Sequence, residues 1–489
     1  MTATLPAVGP TARRAAVAGG VGSVVEWYDY GLYGIAAALY IRPLFFSGAS
    51  ELTGTLLSLA TFAVGFVARP VGGIVLGWAG DRWGRRPVLL FTVLLMGIAT
   101  TLMGVLPTAA TAGVLAPILL VALRLVQGFG AGAELAGAFV YVTESAPPRR
   151  QAFLASFSSA ATSVGLLLST AVFAVLELVL PEGDMLAYGW RIPFLLSAVV
   201  VIAALVARSR IEESAAFRAS TGDSSGRDPV AIAPEAAHPA PNVPGPDALA
   251  AGGGVSGGAV SDGAASEGAA SGGAPSGSAV SGGAVSDGAV SDGAVSDGAV
   301  SDLPGEADRG GARSWAAGLL APTAVGVGGY VTSVYAISYV TSAQDVSAGV
   351  ALLGVLLLAA VSAVTCVGFG ALSDRIGSAR VFLGGTVFLA VFAFPFFALL
   401  QTGDPALVVV ALVVNYSIGW AACAGAQGKF LAGLFGTRRR FAGVATTREL
   451  NSAFLAGPAP FVAAALTGAV GGSPWPVAVM VITAAALTA

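Results

Sequence analysis

Residues 77–86 read Gly-Trp-Ala-Gly-Asp-Arg-Trp-Gly-Arg-Arg, and residues 370–377 read Gly-Ala-Leu-Ser-Asp-Arg-Ile-Gly. Both contain the pattern Gly-x-x-x-Asp-Arg-x-Gly, and each directly follows a long apolar run. The first glycine allows close helix approach, the aspartate can meet a helix N-terminus, and the arginines anchor at a membrane face. An ordinary basic loop would explain the arginines but not the duplicated glycine and aspartate. The duplication therefore indicates an internal repeat.

Around these motifs the chain is dominated by apolar runs. Of its 489 residues 55% are hydrophobic and 10% charged, and the mean hydropathy is +0.81, whereas a soluble domain has about 25% charged residues. The runs are roughly 20 residues long, enough for a helix to cross about 30 Å of hydrocarbon. We predict an all-α polytopic membrane protein with twelve transmembrane helices in two pseudo-symmetric six-helix halves. The predicted spans are residues 15–41, 52–79, 87–106, 112–141, 152–180, 190–207, 314–340, 346–371, 380–400, 405–427, 442–469 and 475–489.

The two halves are separated by a segment of very different composition. We predict an N-terminal half at 1–209, a linker at 210–312 and a C-terminal half at 313–489 with a short last helix. The linker is rich in Gly, Ala, Ser, Pro and Asp and ends in a repeated Ala-Val-Ser-Asp-Gly pentamer. Such a composition cannot bury enough apolar surface to fold, which predicts a disordered cytoplasmic segment. A calcium-binding repeat is the alternative, although a period of five does not suit known calcium solenoids.

Arginine placement predicts the orientation of the helices, because Lys and Arg in short loops stay cytoplasmic. One set of loops is rich in arginine, and the opposite set holds only Arg42 and Arg191. The arginine-rich loops contain Arg82, Arg85, Arg86, Arg149, Arg150, Arg375, Arg380, Arg438, Arg439 and Arg440. We therefore expect both termini in the cytoplasm, in a multi-pass protein of the cell inner membrane.

Several classes of function have little support in the sequence. The only histidine is His238, and the two cysteines, Cys366 and Cys423, lie in apolar runs, which argues against a zinc site or a disulfide framework. No catalytic triad or phosphate-binding loop is recognisable. The basic loops are typical of membrane topology rather than of a nucleic-acid surface. We expect no enzyme activity, no cofactor apart from a proton gradient, no nucleic-acid partner, a lipid bilayer as surroundings and a monomer.

The chain resembles the major facilitator superfamily, whose signature between helices 2 and 3 is the motif at residues 77–86, with a weaker echo between helices 8 and 9. Within it, the chain is similar to the metabolite:proton symporter family. The matching motifs are Glu26-Trp-Tyr-Asp29-Tyr-Gly-Leu-Tyr-Gly34, Arg69-Pro70-Val-Gly72-Gly73, Arg124-Leu-Val-Gln127-Gly128 with Glu134, and Gly189-Trp-Arg-Ile-Pro-Phe194. The similarity is close over the first 217 residues and looser afterwards. There, Gly425-Ala-Gln-Gly-Lys429 stands where relatives often end helix 10 with a proline and an acidic residue.

That resemblance implies a central cavity lined chiefly by helices 1, 4, 7 and 10, with alternating access by rocking of the two halves. It also implies that Asp81 contacts the start of helix 11 and that Arg85 bridges to Glu144, latching the outward-open state. The implied gating residues are Gly77, Asp81, Arg82, Arg85, Arg86, Glu144, Asp374 and Arg375.

Ionisable residues inside the spans suggest how transport is coupled, because such groups are costly and usually face a cavity or one another. We predict proton coupling at Asp29, Glu26, Arg124 and Glu134. Asp29 and Arg124 are expected to pair when neither proton nor substrate is bound, and protonation of Asp29 then frees Arg124 for a substrate carboxylate. The alternative is a static salt bridge that locks two helices.

Two further sets of charges have structural explanations of similar weight. Arg69 and Glu134 fall at similar depth and can form a structural pair. Arg448 and Glu449 are adjacent on helix 11 and point about 100° apart, so they cannot face one partner. Gating or structural pairing is favoured for them over substrate contact.

The predicted substrate is a small organic anion, such as a mono-, di- or tricarboxylate or a shikimate-like acid, carried by proton symport. Its predicted contacts are Arg124, Gln127, Tyr33, Tyr335 and Asn415, although each alone is more often mere packing. Proton-coupled uptake of a zwitterionic osmolyte is an alternative. A drug efflux antiporter usually has a Gly-Pro pair in helix 5, absent here, and a non-transporting sensor with the same fold could lose the cavity charges.

Overall fold

A computed structural model describes residues 10–83, 85–132, 139–140, 142–144, 146–209, 311–436 and 439–489. Its long helices, numbered here in chain order, form one bundle. They are α1 (Pro10–Leu39), α2 (Glu51–Val67 and Arg69–Trp83), α3 (Arg85–Gly104), α4 (Leu115–Gly130), α5 (Pro148–Val179), α6 (Arg191–Ser209), α7 (Ala312–Ala343), α8 (Ala348–Ile376), α9 (Ser378–Leu400), α10 (Pro405–Gly433), α11 (Arg440–Ala469) and α12 (Trp475–Thr488). Short helices at Ile41–Phe45 and Ala109–Ala112 follow α1 and α3.

The twelve helices coincide with the twelve predicted spans. Among the described residues, eight are long and apolar enough to cross a membrane, and α3, α4 and α12 contain shorter apolar helices. The remaining one, α1, includes Glu26 and Asp29. The structure differs from the prediction in α2, which is interrupted at Ala68, where the Ala68 N–H bonds the carbonyl oxygen of Phe66. Pro70 has no N–H to bond that carbonyl group, and its ring would clash with it in a regular helix. Residues 210–310 of the predicted linker (210–312) lie outside the described residues.

Helix ends follow local chemistry. The side chain of Ser50 caps α2 and that of Ser347 caps α8. Asp404 accepts hydrogen bonds from two backbone N–H groups at the start of α10, where Pro405 occupies the first turn, and such caps satisfy N–H groups that have no helical partner. At the other end of α8, Gly377 has φ +100°, a left-handed conformation that favours glycine. The second Gly of the duplicated motif thus stops α8.

The halves meet in two symmetric contacts, α5 against α8 and α2 against α11. Exchanging the halves converts one contact into the other, since α2 corresponds to α8 and α5 to α11. The first glycine of the second motif serves this packing, because a Cβ on Gly370 would lie 2.3 Å from Ser156 Oγ. Within the first half, a Cβ on Gly128 would lie 1.9 Å from the carbonyl oxygen of Gly65. Close approach of α4 to α2 therefore requires glycine.

The outside of the bundle is apolar and its interior holds charge. Large aliphatic side chains are widely exposed, for example Leu178 (86%) and Ile74 (75%), which suits a lipid surrounding. In contrast, Glu26, Asp29, Arg69, Arg124 and Glu449 are buried. The chain is thus a multi-pass membrane protein with ionisable groups in its core.

Candidate functional site

A buried ion cluster joins the two halves. Arg69 of α2 lies 2.7 Å from Glu26 of α1 and 2.7 Å from Glu449 of α11, and it also donates to the carbonyl oxygen of Ala131 at 3.3 Å. All three charged side chains are almost fully buried. One carboxylate oxygen of Glu26, Oε2, has no hydrogen-bond partner in the described part of the chain. In this cluster the two halves are therefore joined by one arginine shared by two carboxylates.

The predicted pair of Arg69 with Glu134 cannot be placed, because Glu134 lies outside the described residues. Sequence reasoning did not find the pairing with Glu449, which is 380 positions away. It correctly expected Arg448 and Glu449 to face different surroundings, because Glu449 turns to Arg69 whereas Arg448 borders a cavity.

Asp29 belongs to a second buried network, within the first half. Its carboxylate accepts hydrogen bonds from Ser197 of α6 at 2.7 Å and from Thr100 of α3 at 3.0 Å. The Thr100 hydroxyl oxygen also accepts from the amide of Gln127 at 2.7 Å and lies 2.9 Å from the carbonyl oxygen of Met96. Because a hydroxyl has one proton and two lone pairs, Thr100 can either donate to Asp29 or accept from it.

Arg124 is surrounded on all sides within α1, α2 and α4. It donates to the Gln127 side chain, and to the carbonyl oxygens of Phe62 at 3.1 Å and Thr61 at 3.4 Å. Its guanidinium carbon lies 3.8 Å from the centroid of the Tyr33 ring, a favourable cation–π position. Arg124 is thus held by groups that satisfy most of its donors.

The predicted direct pair of Asp29 and Arg124 is not formed. Between these two described residues there is no ion pair, and they are connected instead through Gln127 and Thr100. The physical reason is that each already has short partners of its own, two hydroxyls for Asp29 and two carbonyl oxygens for Arg124. The connection between Asp29 and Arg124 therefore runs through hydrogen bonds.

The ring of Tyr30 touches both systems. Its centroid lies 5.1 Å from the Arg69 guanidinium and 5.3 Å from that of Arg124, while its hydroxyl has no hydrogen-bond partner among the described residues. The ion cluster and the Asp29 network are therefore contiguous.

A cavity of about 50 Å³ lies between the two halves. Its described lining residues come from both halves and are largely aromatic or polar. They are Trp27, Phe139, Ser159, Thr162, Pro322, Val325, Gly326, Gly329, Tyr330, Tyr416, Trp420, Ala424, Gln427, Arg448, Asn451, Ser452 and Ala456. We call this space the central cavity.

Most of the predicted substrate contacts lie elsewhere. Arg124, Gln127, Tyr33 and Asn415 are buried in helix packing and are not among the described residues that line the central cavity. Tyr33 donates to Thr61 and Asn415 donates to Thr332. Tyr335 lines a second cavity, of about 300 Å³, between the N-terminal end of α2 and the ends of α7 and α11. Sequence reasoning missed Trp27, Trp420 and Gln427, whose only signal was their place on helices 1 and 10.

Three helices of the second half are locally π-helical beside the central cavity. The π turns are Val331–Tyr335 in α7, Asn415–Trp420 in α10 and Ser452–Ala456 in α11. Each contains or adjoins residues of the cavity wall, such as Tyr330, Trp420 and Ser452. Such turns occur frequently at functional sites. No composition signal in the sequence predicted them.

On the arginine-rich face the halves are joined by polar contacts that we call the clasp. Asp374 accepts hydrogen bonds from the backbone N–H groups of Ala152 (3.0 Å) and Phe153 (2.8 Å) at the start of α5, and from Lys429 (3.0 Å). Glu144 pairs with Arg440 at 3.0 Å. A carboxylate at a helix N-terminus is favoured by unpaired N–H groups and by the helix dipole.

The remaining predicted gating residues are only partly described. The side chains of Gly77, Asp81, Arg85 and Arg86 lie outside the described residues, which leaves their contacts as predictions. Arg82 is exposed, 5.6 Å from the ring of Trp78, and Arg375 is exposed at the end of α8. Lys429, from the stretch that departs from the family pattern, occupies the clasp instead of an acidic residue.

Comparisons with known sequences match the first half of the chain. A family model described as "Sugar (and other) transporter" matches residues 15–232. A shikimate transporter from Escherichia coli (strain K12) is 50% identical over 206 residues, which are 42% of this chain and 47% of that protein. A proline/betaine transporter from Salmonella typhimurium is 37% identical over 206 residues, 42% of this chain and 41% of that protein. The chain spans about half the length of the curated relatives it matches.

Comparison with solved structures covers the whole chain. The xylose transporter XylE from E. coli, in a partially occluded inward-open conformation, aligns with a TM-score of 0.66 and 16% identity over 98% of this chain and 97% of that one. A D-xylose–proton symporter aligns with a TM-score of 0.65 and 16% identity over 97% and 96%. At this level of identity the likeness shows the fold alone.

Proposed function

We propose that the chain belongs to the major facilitator superfamily, a family of membrane transporters and not of enzymes, and that it is a secondary active transporter that moves a small organic anion together with a proton. Alternating access, by rocking of the two halves about the central cavity, is the proposed mechanism. The two termini are proposed to lie in the cytoplasm and the protein to act as a monomer in the inner membrane.

The ion cluster of Glu26, Arg69 and Glu449 is the observation that carries this proposal. Its two carboxylates belong to opposite halves and compete for one buried arginine. A buried charge is tolerated only when it is paired, so a proton on Glu449 would weaken the Arg69–Glu449 bond between the halves, whereas a proton on Glu26 would leave Arg69 to Glu449 alone. Proton binding at Glu449 would then favour the movement that opens the cavity.

Asp29 is proposed as a second group that takes part in proton movement. The Thr100 hydroxyl can donate to an ionised Asp29, or accept from a protonated one while donating to the Met96 carbonyl oxygen. Both protonation states therefore find a partner without rearrangement of the helices. A carboxylate with a purely structural role would not need hydrogen-bond partners in both protonation states.

Similarity to the shikimate transporter supports an organic acid as the substrate class. The family-model match at residues 15–232 includes the proposed proton-binding carboxylates Glu26 and Asp29.

Uptake by proteoliposomes tests the proposal. Purified protein is reconstituted, an alkaline-inside pH gradient is imposed, and accumulation of radiolabelled shikimate and succinate is measured with and without a protonophore. We expect accumulation above the equilibrium level that the protonophore abolishes. Asp29→Asn should lose net accumulation but keep shikimate exchange between the two sides. Accumulation that is indifferent to the gradient in the wild type would refute proton symport.

Uptake of a zwitterionic osmolyte is the second candidate. It is favoured by the similarity to a proline/betaine transporter and by the aromatic walls of the central cavity at Trp27, Tyr330, Tyr416 and Trp420, since aromatic faces attract quaternary ammonium groups. Arg448 in the same wall opposes a cation there. Betaine uptake that exceeds uptake of every carboxylate in the same liposomes would select this candidate.

A further inference from the structure

The side chain of Arg448 has a hydrogen-bond donor without a partner in the described interior of the bundle, where an unpaired donor is costly. Its Nη1 is buried and has no hydrogen-bond partner within the described residues, although the residue lines the central cavity. Its recorded ring neighbour is Phe139, 5.8 Å from the guanidinium carbon. An unpaired buried donor is destabilising, and more so if it is charged. A ligand oxygen in the cavity would remove that cost.

The charges around Arg448 define what kind of ligand would be accepted. Arg448 and Arg69 stand beside Glu449 and Glu26, so two positive charges face two negative charges. The second unsatisfied atom in this group is Glu26 Oε2. An anion on Arg448 would satisfy its unpaired donor, a proton on Glu26 Oε2 would neutralise that unpaired carboxylate, and together they would leave the buried charge unchanged. Either one alone would leave an uncompensated charge in the membrane interior, which is costly.

Protonation of Glu26 would be felt by every element around it. The ionisable groups that interact with it are Tyr30 and Asp29 on α1, Arg69 on α2, Tyr330 on α7, and Arg448 and Glu449 on α11. Of these, only Arg69 bonds directly to Glu26, through Oε1, which leaves Oε2 open to a proton.

The aromatic walls indicate the shape of the ligand. Trp27 of the first half and Tyr330 of the second are nearly parallel, with an interplanar angle of 14° and centroids 6.1 Å apart. A planar group between two rings needs about 7 Å, twice the ~3.5 Å contact distance between carbon atoms. The gap between the two ring planes is at most the 6.1 Å between their centroids, so a slot beside Arg448 opens only when the two halves, which carry one ring each, move apart.

We propose that Arg448 binds the carboxylate of the substrate in the central cavity, that a planar ring of the substrate lies between Trp27 and Tyr330, and that Glu26 accepts the accompanying proton. The substrate class is a ring-bearing monocarboxylate, taken up with one proton. This inference rests on the proposed function as a proton-coupled transporter.

Equilibrium binding to the purified full-length chain in detergent tests the inference, with radiolabelled benzoate as the probe and its uncharged isostere benzamide as competitor. Arg448→Gln should raise the Kd for benzoate by about tenfold or more, as expected for loss of a bond to a charged donor. Arg448→Lys, which keeps the charge, should raise it less. Arg380→Gln, an exposed arginine on α9, should leave it unchanged, and benzamide should not compete.

The pH dependence of the same measurement separates binding from a merely structural role. Over the range where benzoate stays ionised, wild-type affinity should increase as the pH falls, because protonated Glu26 stabilises the bound anion. Glu26→Gln mimics the protonated state, so it should bind benzoate with high affinity and with little pH dependence. For the ring slot, Trp27→Leu should weaken benzoate binding while Trp27→Phe retains it.

The possible failures are distinguishable. If the wild type and Arg448→Gln bind benzoate equally, or if Arg448→Lys binds as weakly as Arg448→Gln and both lose thermal stability, the assignment of Arg448 is wrong while transport is untouched. If succinate binds and benzoate does not, the ring slot is wrong. If wild-type liposomes accumulate no carboxylate at all under a pH gradient, the proposed function itself fails.

Discussion

Two arginines of the bundle interior, Arg124 in the first half and Arg448 in the second, have opposite surroundings. Arg124 donates to one side chain and two backbone carbonyl oxygens and stacks on Tyr33. Arg448 borders the central cavity, and its Nη1 has no partner within the described residues. Arg124 stabilises the fold by completing its own contacts, whereas Arg448 has a donor to offer to something else.

The difference bears on how buried charge is interpreted. A charge inside a membrane span signals a functional site, but the charge alone does not distinguish a positioning role from a binding role. The number of its donors that remain open does distinguish them. By that criterion Arg448 is the stronger candidate for substrate contact, although Arg124 lies in the closely matching half of the chain.

We expect the largest effect on stability at Arg69, which pairs with two carboxylates. Arg69→Gln would leave Glu26 and Glu449 buried and unpaired, and removal of one partner of a buried pair costs about 3–5 kcal/mol. We expect a strongly lowered thermal unfolding midpoint in detergent, or no folded protein. The double variant Arg69→Gln/Glu449→Gln should recover part of the loss. A double variant less stable than Arg69→Gln would contradict the shared-arginine arrangement.

Arg124→Gln is expected to have the next largest effect. It removes the donor to the buried Gln127 Oε1 and the stacking on Tyr33, and a buried acceptor left unsatisfied costs about 1–3 kcal/mol. The unfolding midpoint should fall clearly, and benzoate binding per folded molecule should change little. If binding is lost while stability is kept, the comparison between the two arginines is reversed.

An intermediate effect is expected at the clasp. Asp374→Asn weakens the bonds to the start of α5 and to Lys429, by about 1 kcal/mol for a carboxylate at a helix N-terminus. A cysteine introduced at Ala424, in the cavity wall, should then be alkylated several-fold faster by a maleimide added on the arginine-rich side. Glu51→Gln, which affects an exposed ion pair with Arg42, is the matched control, and an equal rate in both variants would show that Asp374 does not close this side.

Arg448→Gln should have the smallest effect on stability. No hydrogen bond of Nη1 to a described residue is lost, but one of the two positive charges beside Glu26 and Glu449 is, so we expect a loss of about 1 kcal/mol in the free energy of unfolding, smaller than that of Arg124→Gln measured under the same conditions. A loss as large as that of Arg124→Gln would mean that Arg448 has a structural partner, and the distinction drawn between the two residues would disappear.

Periodicity and the duplicated motif were sufficient to predict the twelve helices and the relation of the halves, because apolar length is set directly by the membrane. The motif also predicted local features that the structure shows. They are Gly370 in a close helix contact, Asp374 at the start of α5 and Gly377 at the end of α8. These features depend on residues near one another in the sequence or on a repeat.

Partner choice could not be predicted in the same way. Arg69 had Glu134, Glu26 and Glu449 as possible partners, and the bond to Glu449 depends on packing between halves that no local pattern encodes. The rule that adjacent helical residues point about 100° apart did predict that Arg448 and Glu449 separate. It could not say which of them faces the cavity, since that depends on the rotation of α11 as a whole.

The π turn in α10 has a consequence for single-codon changes. It contains one residue more than the α-helical turn it replaces, so deletion of one residue within 415–420 would restore a regular helix. Because the extra residue is accommodated within a single wider turn, the residues after the deletion would keep roughly the rotational phase that they have now. Ala424 and Gln427 would then stay on the same face of α10, and only the wide turn beside the cavity would be lost. The same deletion in a strictly α-helical span would rotate everything after it by about 100°.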